Sequence, residues 1–458
     1  MPRAGGARMP VELLVAEIGS TTTLVSAFEG INGGGPRFLG QGWAPTTVAA
    51  GDVTVGLQEA IKDLGHHSLP DTVEMMASSS AAGGLRMTVH GLVYDMTVKA
   101  AREAALGAGA VIRLVTAGEL QEEDLRQIEA IKPNIILLAG GVDYGERSTV
   151  LHNARRLAEL GLPTPVIYAG NVAAREEATR ALRERGIPVA AVENVYPRLD
   201  VLNIEPTRRA IQEVFERHIV SAPGMDRIRE LVRGTIVPTP GAVMNAARLL
   251  YARLGDLMVV DVGGATTDVH SVTEGSEEVA RLLVSPEPVA KRTVEGDLGV
   301  FLNARQVVER IGRERLEEEL GFDLGPLLEA PPLVPQTARE VRFVERLTEE
   351  AVHAAVARHA GRLKYLYGPT GRTTVAEGKD LTRVKWIIGT GGPLTRLPAG
   401  REILGKIARG NKGMELYPGP EARVLLDRDY ILAAAGVMAG RYPEAAAVLA
   451  LGSLGVEA

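Results

Sequence analysis

Apolar residues fall along this chain in short runs that end on glycine, and three of these runs stand out. Leu257 to Val260 is continuous, valine-rich and too short for a helix, which fits a strand buried on both faces. Asp261, Val262, Gly263, Gly264, Ala265, Thr266, Thr267 and Asp268 follow, and a second run closes at Val272, so 256–272 predicts a β-hairpin with a glycine tip. Residues 11–28 repeat that order: a strand, an acid at Glu17, then Ile18, Gly19, Ser20, Thr21, Thr22 and a second strand. Near the other end, 385–394 is a strand running into Gly389, Gly391 and Gly392.

Between these runs the pattern changes period. After the first hairpin, 37–43 reads as a third strand and 52–65 as an amphipathic helix ending on glycine. Strands near 73–78, 110–116, 135–138, 166–169 and 189–192 then alternate with helices near 97–106, 118–131, 147–160, 173–185 and 206–219. Such alternation predicts a parallel sheet with helices on both faces. Its strand-end loops, Ser78 to Leu85 and Gly140 to Gly145, lie where doubly wound sheets bind ligands, although small residues there also make tight turns. Pro238 to Gly241 breaks the chain ahead of an amphipathic helix at 242–254, placed to link two halves. Glu295 to Gly299 is expected to open a helix, with Asp297 as its N-cap. The charged stretch 309–350 is expected to be solvated helices and loops, and helices are expected over 342–362 and 427–440.

The hairpins carry the candidate chemistry. Glycine permits positive φ and close approach of backbone N–H groups, and the neighbouring hydroxyls add donors, so each tip suits an anion. Acids beside a polyphosphate repel it unless a hard cation such as Mg²⁺ lies between, usually through water. Asp261, Asp268 and Glu17 are the candidate metal-facing and catalytic acids. Gly19, Ser20, Thr21, Thr22, Gly263, Gly264, Thr266 and Thr267 are the candidate phosphate cradle. Gly389, Gly391 and Gly392, bare of side chains, would admit a flat base and ribose.

Composition narrows the field. A chain of 458 residues exceeds one core and predicts two or three domains, read as 11–70, 71–220 (partly an insertion) and 221–458. With 51 basic against 57 acidic side chains and a net charge of −6, a nucleic-acid partner is not favoured. The absence of cysteine excludes disulfides, thiolate catalysis and cysteine-held metals. Met1 to Pro10 lacks the apolar core of a signal peptide, and the apolar tail 445–456 falls short of the ~20 residues a membrane-spanning helix needs, so a cytoplasmic location is expected. His353 and His359, six apart, do not share a helix face, which argues against a metal pair.

Two phosphate hairpins and a late glycine-rich loop, in this order, resemble the actin, sugar kinase and Hsp70-type ATPase superfamily. The resemblance spans nearly the whole chain. It implies an α/β fold: two ATPase-like half-domains around a nucleotide cleft, with an additional α/β insertion in the first, and ATP with Mg²⁺ as ligands. Within it, 260–268, Glu295 to Gly299, Pro238 to Val243 and Leu138 to Asp143 resemble the glutamate mutase accessory proteins called GlmL or MutL, which are unrelated to the mismatch-repair protein of that second name. That likeness implies a slow ATPase that reactivates an adenosylcobalamin-dependent aminomutase of the glutamate or ornithine type. Glu17 stands where relatives usually carry aspartate and Leu24 where many carry lysine, so binding is expected to survive better than hydrolysis. The competing readings are a small-molecule kinase, a hydantoinase-like or oxoprolinase-like enzyme that activates an amide, and an actin-like assembly protein.

Overall fold

The apolar runs become the central strands of three sheets. The computed structural model describes residues 11–33, 35–47, 52–65, 73–80, 85–218, 228–229, 232, 236–368, 371–409 and 413–457. The leader Met1 to Pro10, and Ala81 to Gly84 of the first strand-end loop, lie outside the described residues. Strands β1 (Leu13–Ile18), β2 (Thr22–Glu29) and β3 (Arg37–Pro45) form an antiparallel meander, and β4 (Glu74–Ser79) lies parallel to β1. The chain then enters a separate sheet of β5 (Leu85–Gly91), β6 (Ala110–Ala117), β7 (Ile135–Leu138), β8 (Val166–Tyr168) and β9 (Val189–Ala191). These strands are all parallel, in the order β6-β5-β7-β8-β9. The path returns at β10 (Ile236–Pro238), which pairs with β4 and completes the order β3-β2-β1-β4-β10.

The second half repeats the first. β11 (Leu257–Val262), β12 (Thr267–Val272) and β13 (Ala290–Glu295) form another antiparallel meander. After a two-stranded hairpin, β14 (Arg362–Gly368) and β15 (Gly371–Glu377), strands β16 (Trp386–Thr390) and β17 (Arg423–Leu426) add in parallel to give β13-β12-β11-β16-β17. Each lobe therefore has three meander strands and then two parallel ones, in the same spatial order. The parallel five-stranded unit sits in the crossover between β4 and β10.

Central strands buried on both faces need apolar residues at successive positions, which explains the runs. Leu13 and Val15 face the lobe junction, whereas Leu14 and Ala16 face the outer core of the first lobe. At the junction the helix Thr239–Leu254 crosses the helix Leu432–Met438, and a Cβ added at Gly436 would stand 1.8 Å from the Ala242 carbonyl oxygen. Glycine is required there for the backbones to approach. The inserted sheet has its own core on each face.

Several local expectations are corrected. Glu295 to Gly299 opens no helix; β13 ends in a turn, and the next helix is Ala304–Ile311. Asp297 caps nothing and instead pairs with Arg358. The stretch 309–350 is not simply solvated, because Leu316, Leu320, Leu324, Leu328 and Phe343 are buried in the core of the second lobe. The predicted strand at 73–78 is β4, which joins the first lobe's sheet. His353 is exposed, while His359 is buried between Ser271 and Thr293.

Candidate functional site

The two meanders bring their hairpin tips together at the floor of a cleft of about 1650 Å³ between the lobes. The tips are built alike. Gly19 N–H donates to Thr22 O at 2.9 Å, and Gly263 N–H donates to Thr266 O at 2.9 Å. Glu17 faces Leu24 across the first hairpin as Asp261 faces Asp268 across the second. A Cβ added at Gly264 would lie 3.3 Å from Thr21 Oγ1, so the tips touch across the cleft. Ser20 also lines the cleft and donates its hydroxyl to Ser80 O at 3.1 Å.

Carbonyls at the second tip are already held. Gly264 O accepts from Phe301 N and Leu302 N, Gly263 O from Val300 N, and Ala265 O from Asn303 Nδ2. The amides of Gly264 and Ala265, and of Ser20 and Thr21 in the first tip, have no acceptor among the described residues. An array of donors without acceptors is what a polyphosphate requires.

The acids divide into two kinds. Glu17 and Asp261 are partly buried and line the same cleft, and neither carboxylate accepts a hydrogen bond or forms an ion pair within the described protein. Burial, then the charges of Asp261 and Asp427, push Glu17 up to about 8. Burial, then the Asp268 charge, push Asp261 up to about 7, against the pull of Arg292. Two carboxylates in this state gain from a hard cation between them, so the donor set fits water-mediated Mg²⁺. Among the described residues no three His, Asp or Glu side chains converge to hold a metal directly. Asp268, by contrast, accepts from Arg292 Nη2 at 2.9 Å and Thr266 Oγ1 at 3.1 Å, so both its oxygens are engaged.

One predicted cradle residue and one glycine of the third run serve packing instead. Thr267 is buried and donates its hydroxyl to Leu298 O at 2.8 Å. Gly389 packs: a Cβ there would lie 2.5 Å from Leu404 Cδ1. Gly391 has φ +88°, and a Cβ there would meet Val262 O at 2.2 Å, so only glycine brings this loop against the second hairpin. Gly392 does line the cleft, beside Arg396 and Tyr430.

Four residues that the sequence did not single out complete the site. Arg292, 1 % exposed, neutralises Asp268. Asp427 lies behind Glu17 and Asp261, where it accepts from Thr390 Oγ1, Ser453 Oγ and the Ile431 and Leu432 amides. Burial raises its carboxyl and these bonds restrain the rise. Gln41 of β3 donates to Tyr430 O at 3.1 Å and accepts from Arg396 at 3.3 Å, which bridges the lobes over the cleft. Arg358 holds Glu295 and both oxygens of Asp297 at the rim. A sequence signal existed for Asp427, the acid before the closing helix; Arg292 gave none, since its role depends on strand register.

Twin lobes of one topology, meeting at paired glycine hairpins, define an actin-like ATPase fold with an α/β insert in its first half. The chain belongs to the family described as MutL protein, whose model matches residues 13–454. Protein MutL of Clostridium tetanomorphum is 37 % identical over 452 residues, covering 94 % of this chain and 97 % of that protein. Among solved structures, a glycerol dehydratase reactivase aligns with 94 % of this chain and 99 % of its own at 11 % identity and a TM-score of 0.36. A diol dehydratase-reactivating factor in nucleotide-free form aligns with 94 % and 100 % at 12 % identity and a TM-score of 0.36. Strand order and the family match define the fold. No helix among the described residues is long and apolar enough to cross a membrane.

Proposed function

We propose that this chain is an ATP-operated accessory protein that acts on an adenosylcobalamin-dependent mutase of the glutamate mutase type. The observation that carries the nucleotide half is the pair Glu17 and Asp261, one unpaired acid from each lobe, beside amides that lack acceptors. Asp261 and Glu17 would hold Mg²⁺ through water. The open amides of Ser20, Thr21, Gly264 and Ala265 would hold phosphate oxygens, with Thr21, Thr22 and Thr266 beside them. Mg²⁺ would supply charge neutralisation between acids and phosphates. The protein's part is to bind, orient and exclude water while the lobes close.

Membership of the MutL family and the resemblance to glutamate mutase accessory proteins support the partner class. The insert supports an output on a macromolecule, since a second sheet with two cores of its own exceeds what nucleotide binding needs. The test has two arms. Isothermal titration with Mg²⁺ and ATP is expected to give one saturable site. A candidate mutase inactivated by turnover is then incubated with this protein, ATP and fresh adenosylcobalamin, and activity is expected to return only with ATP. Equal recovery without ATP defeats the reactivating role, and ATP-dependent phosphorylation of a small molecule replaces it with the kinase reading.

A further inference from the structure

The helix Lys99–Gly107 of the insert lies against β13 and is tied there at both ends. At its C-terminal end, Arg292 Nη1 donates to Leu106 O at 3.0 Å while Nη2 of the same guanidinium donates to Asp268 Oδ1 at 2.9 Å. One rigid fork thus joins the second hairpin to the last turn of the helix, where Leu106 O also accepts from Gly109 N–H at 2.9 Å and the helix dipole favours a cation. At the other end, Lys99 Nζ lies 2.6 Å from Glu287 Oε1 and 2.8 Å from Ser285 Oγ, on the segment leading into β13. Lys291 fills the space between, 2.6 Å from Glu287 and 3.7 Å from Glu103.

This contact is buried but not saturated. Both ring nitrogens of His270, on the same face of β12 as Asp268, have no protein partner, and neither do Arg292 Nε and Glu103 Oε2. A ligand at the hairpin that displaced Asp268 would pull on Arg292, and Arg292 on the helix.

We infer that the helix Lys99–Gly107 is the arm through which the nucleotide hairpin moves the insert, with Arg292 as the positioning residue that links Asp268 to it. The inference rests on the reading that the hairpins bind nucleotide. The absence of native cysteine allows one dye at Glu184→Cys in the insert and another at Glu402→Cys in the second lobe. Energy transfer between them is read at saturating Mg²⁺ and ATP in the otherwise wild-type chain, in Arg292→Lys and in Lys99→Met, with each fold checked by thermal melting. Lysine keeps the charge but cannot fork to two acceptors. Lys99→Met leaves Glu287 paired with Lys291, so it keeps the test alive if Arg292→Lys fails to fold. The ATP-dependent change in transfer is expected to fall at least about fivefold in both variants, with the Mg–ATP affinity of Lys99→Met unchanged. A change as large as wild type in both variants, or none in a wild type that binds ATP, overturns the arm. Absence of ATP binding by wild type in calorimetry instead defeats the reading beneath it.

Discussion

The two hairpins share a backbone and differ in what stands opposite the acid. In the first, Glu17 faces Leu24, and among the described residues the tip's hydrogen bonds stay within its own lobe, with Thr46 Oγ1 donating to Gly19 O at 2.9 Å. In the second, Asp261 faces Asp268, which pairs with Arg292 and, through that guanidinium, is tied to Leu106 of the insert. Identical turn closure with unequal support means that the geometry of the tip is duplicated whereas its connection to the rest of the molecule is not. The first hairpin is a surface to bind against; the second is fastened to something that can move.

The largest expected effect breaks that fastening. Arg292→Met leaves Asp268 charged and buried, which costs about 3–5 kcal/mol, while Leu24→Met in the first hairpin costs less than about 1.5 kcal/mol. Urea midpoints compare the two, and equal losses would erase the distinction. Next, Asp261→Ala is expected to weaken Mg–ATP binding at least about hundredfold by calorimetry, and Glu17→Gln by about tenfold. The reverse ranking would make the first hairpin the principal anchor.

A smaller effect follows from pH. The Glu17 carboxyl rises from 4.5 to about 8 on folding, and Asp261 from 3.8 to about 7. A raised carboxyl contributes stability that is whole below the unfolded value and lost as pH climbs through the folded one. The ligand-free melting temperature is therefore expected to fall between pH 4.5 and about 8, and Glu17→Gln to remove several degrees of that fall. An identical slope in the variant would show that Glu17 is not strained. Smallest of all, Glu17→Asp is expected to raise ATP turnover about threefold with affinity nearly unchanged, since one methylene separates it from the geometry at Asp261. Steady-state phosphate release measures it, and equal or slower turnover shows a site adapted to glutamate.

Much of this comparison was legible before folding. The runs around β1 and β11 declare themselves because strands buried on both faces must be apolar at successive positions, and the glycines declare the turns. Other strands did not. β13 carries Lys291 and Arg292, and in β14 and β15 Lys364 pairs with Glu377 while Arg372 stacks on Tyr365 at 4.3 Å. Charged residues satisfied by partners distant in sequence look, in one dimension, like solvated loop. β5 (Leu85–Gly91) starts where the sequence reading ends a loop and is given no strand there. The roles of Thr267 and Gly389 were hidden for a related reason: composition shows a hydroxyl or a missing side chain, and only register shows which way it faces. Arg292 belongs to the same class, as a fork between Asp268 and the Leu106 carbonyl that meet only once the second lobe and the insert have docked.

The crossing of the helices Thr239–Leu254 and Leu432–Met438 has a kinetic consequence. Gly436 rides on the Ala242 carbonyl, with Ala433, Ala434 and Ala435 beside it, so much of the bearing surface has no χ angles. Rotation there need not wait for rotamer jumps, and internal friction is low. If ATP swings the lobes as proposed, the swing is expected at the pace of hinge motions, about microseconds to milliseconds, and a slower turnover would then be limited by steps other than this crossing. A single methyl, Gly436→Ala, is a chock under that bearing.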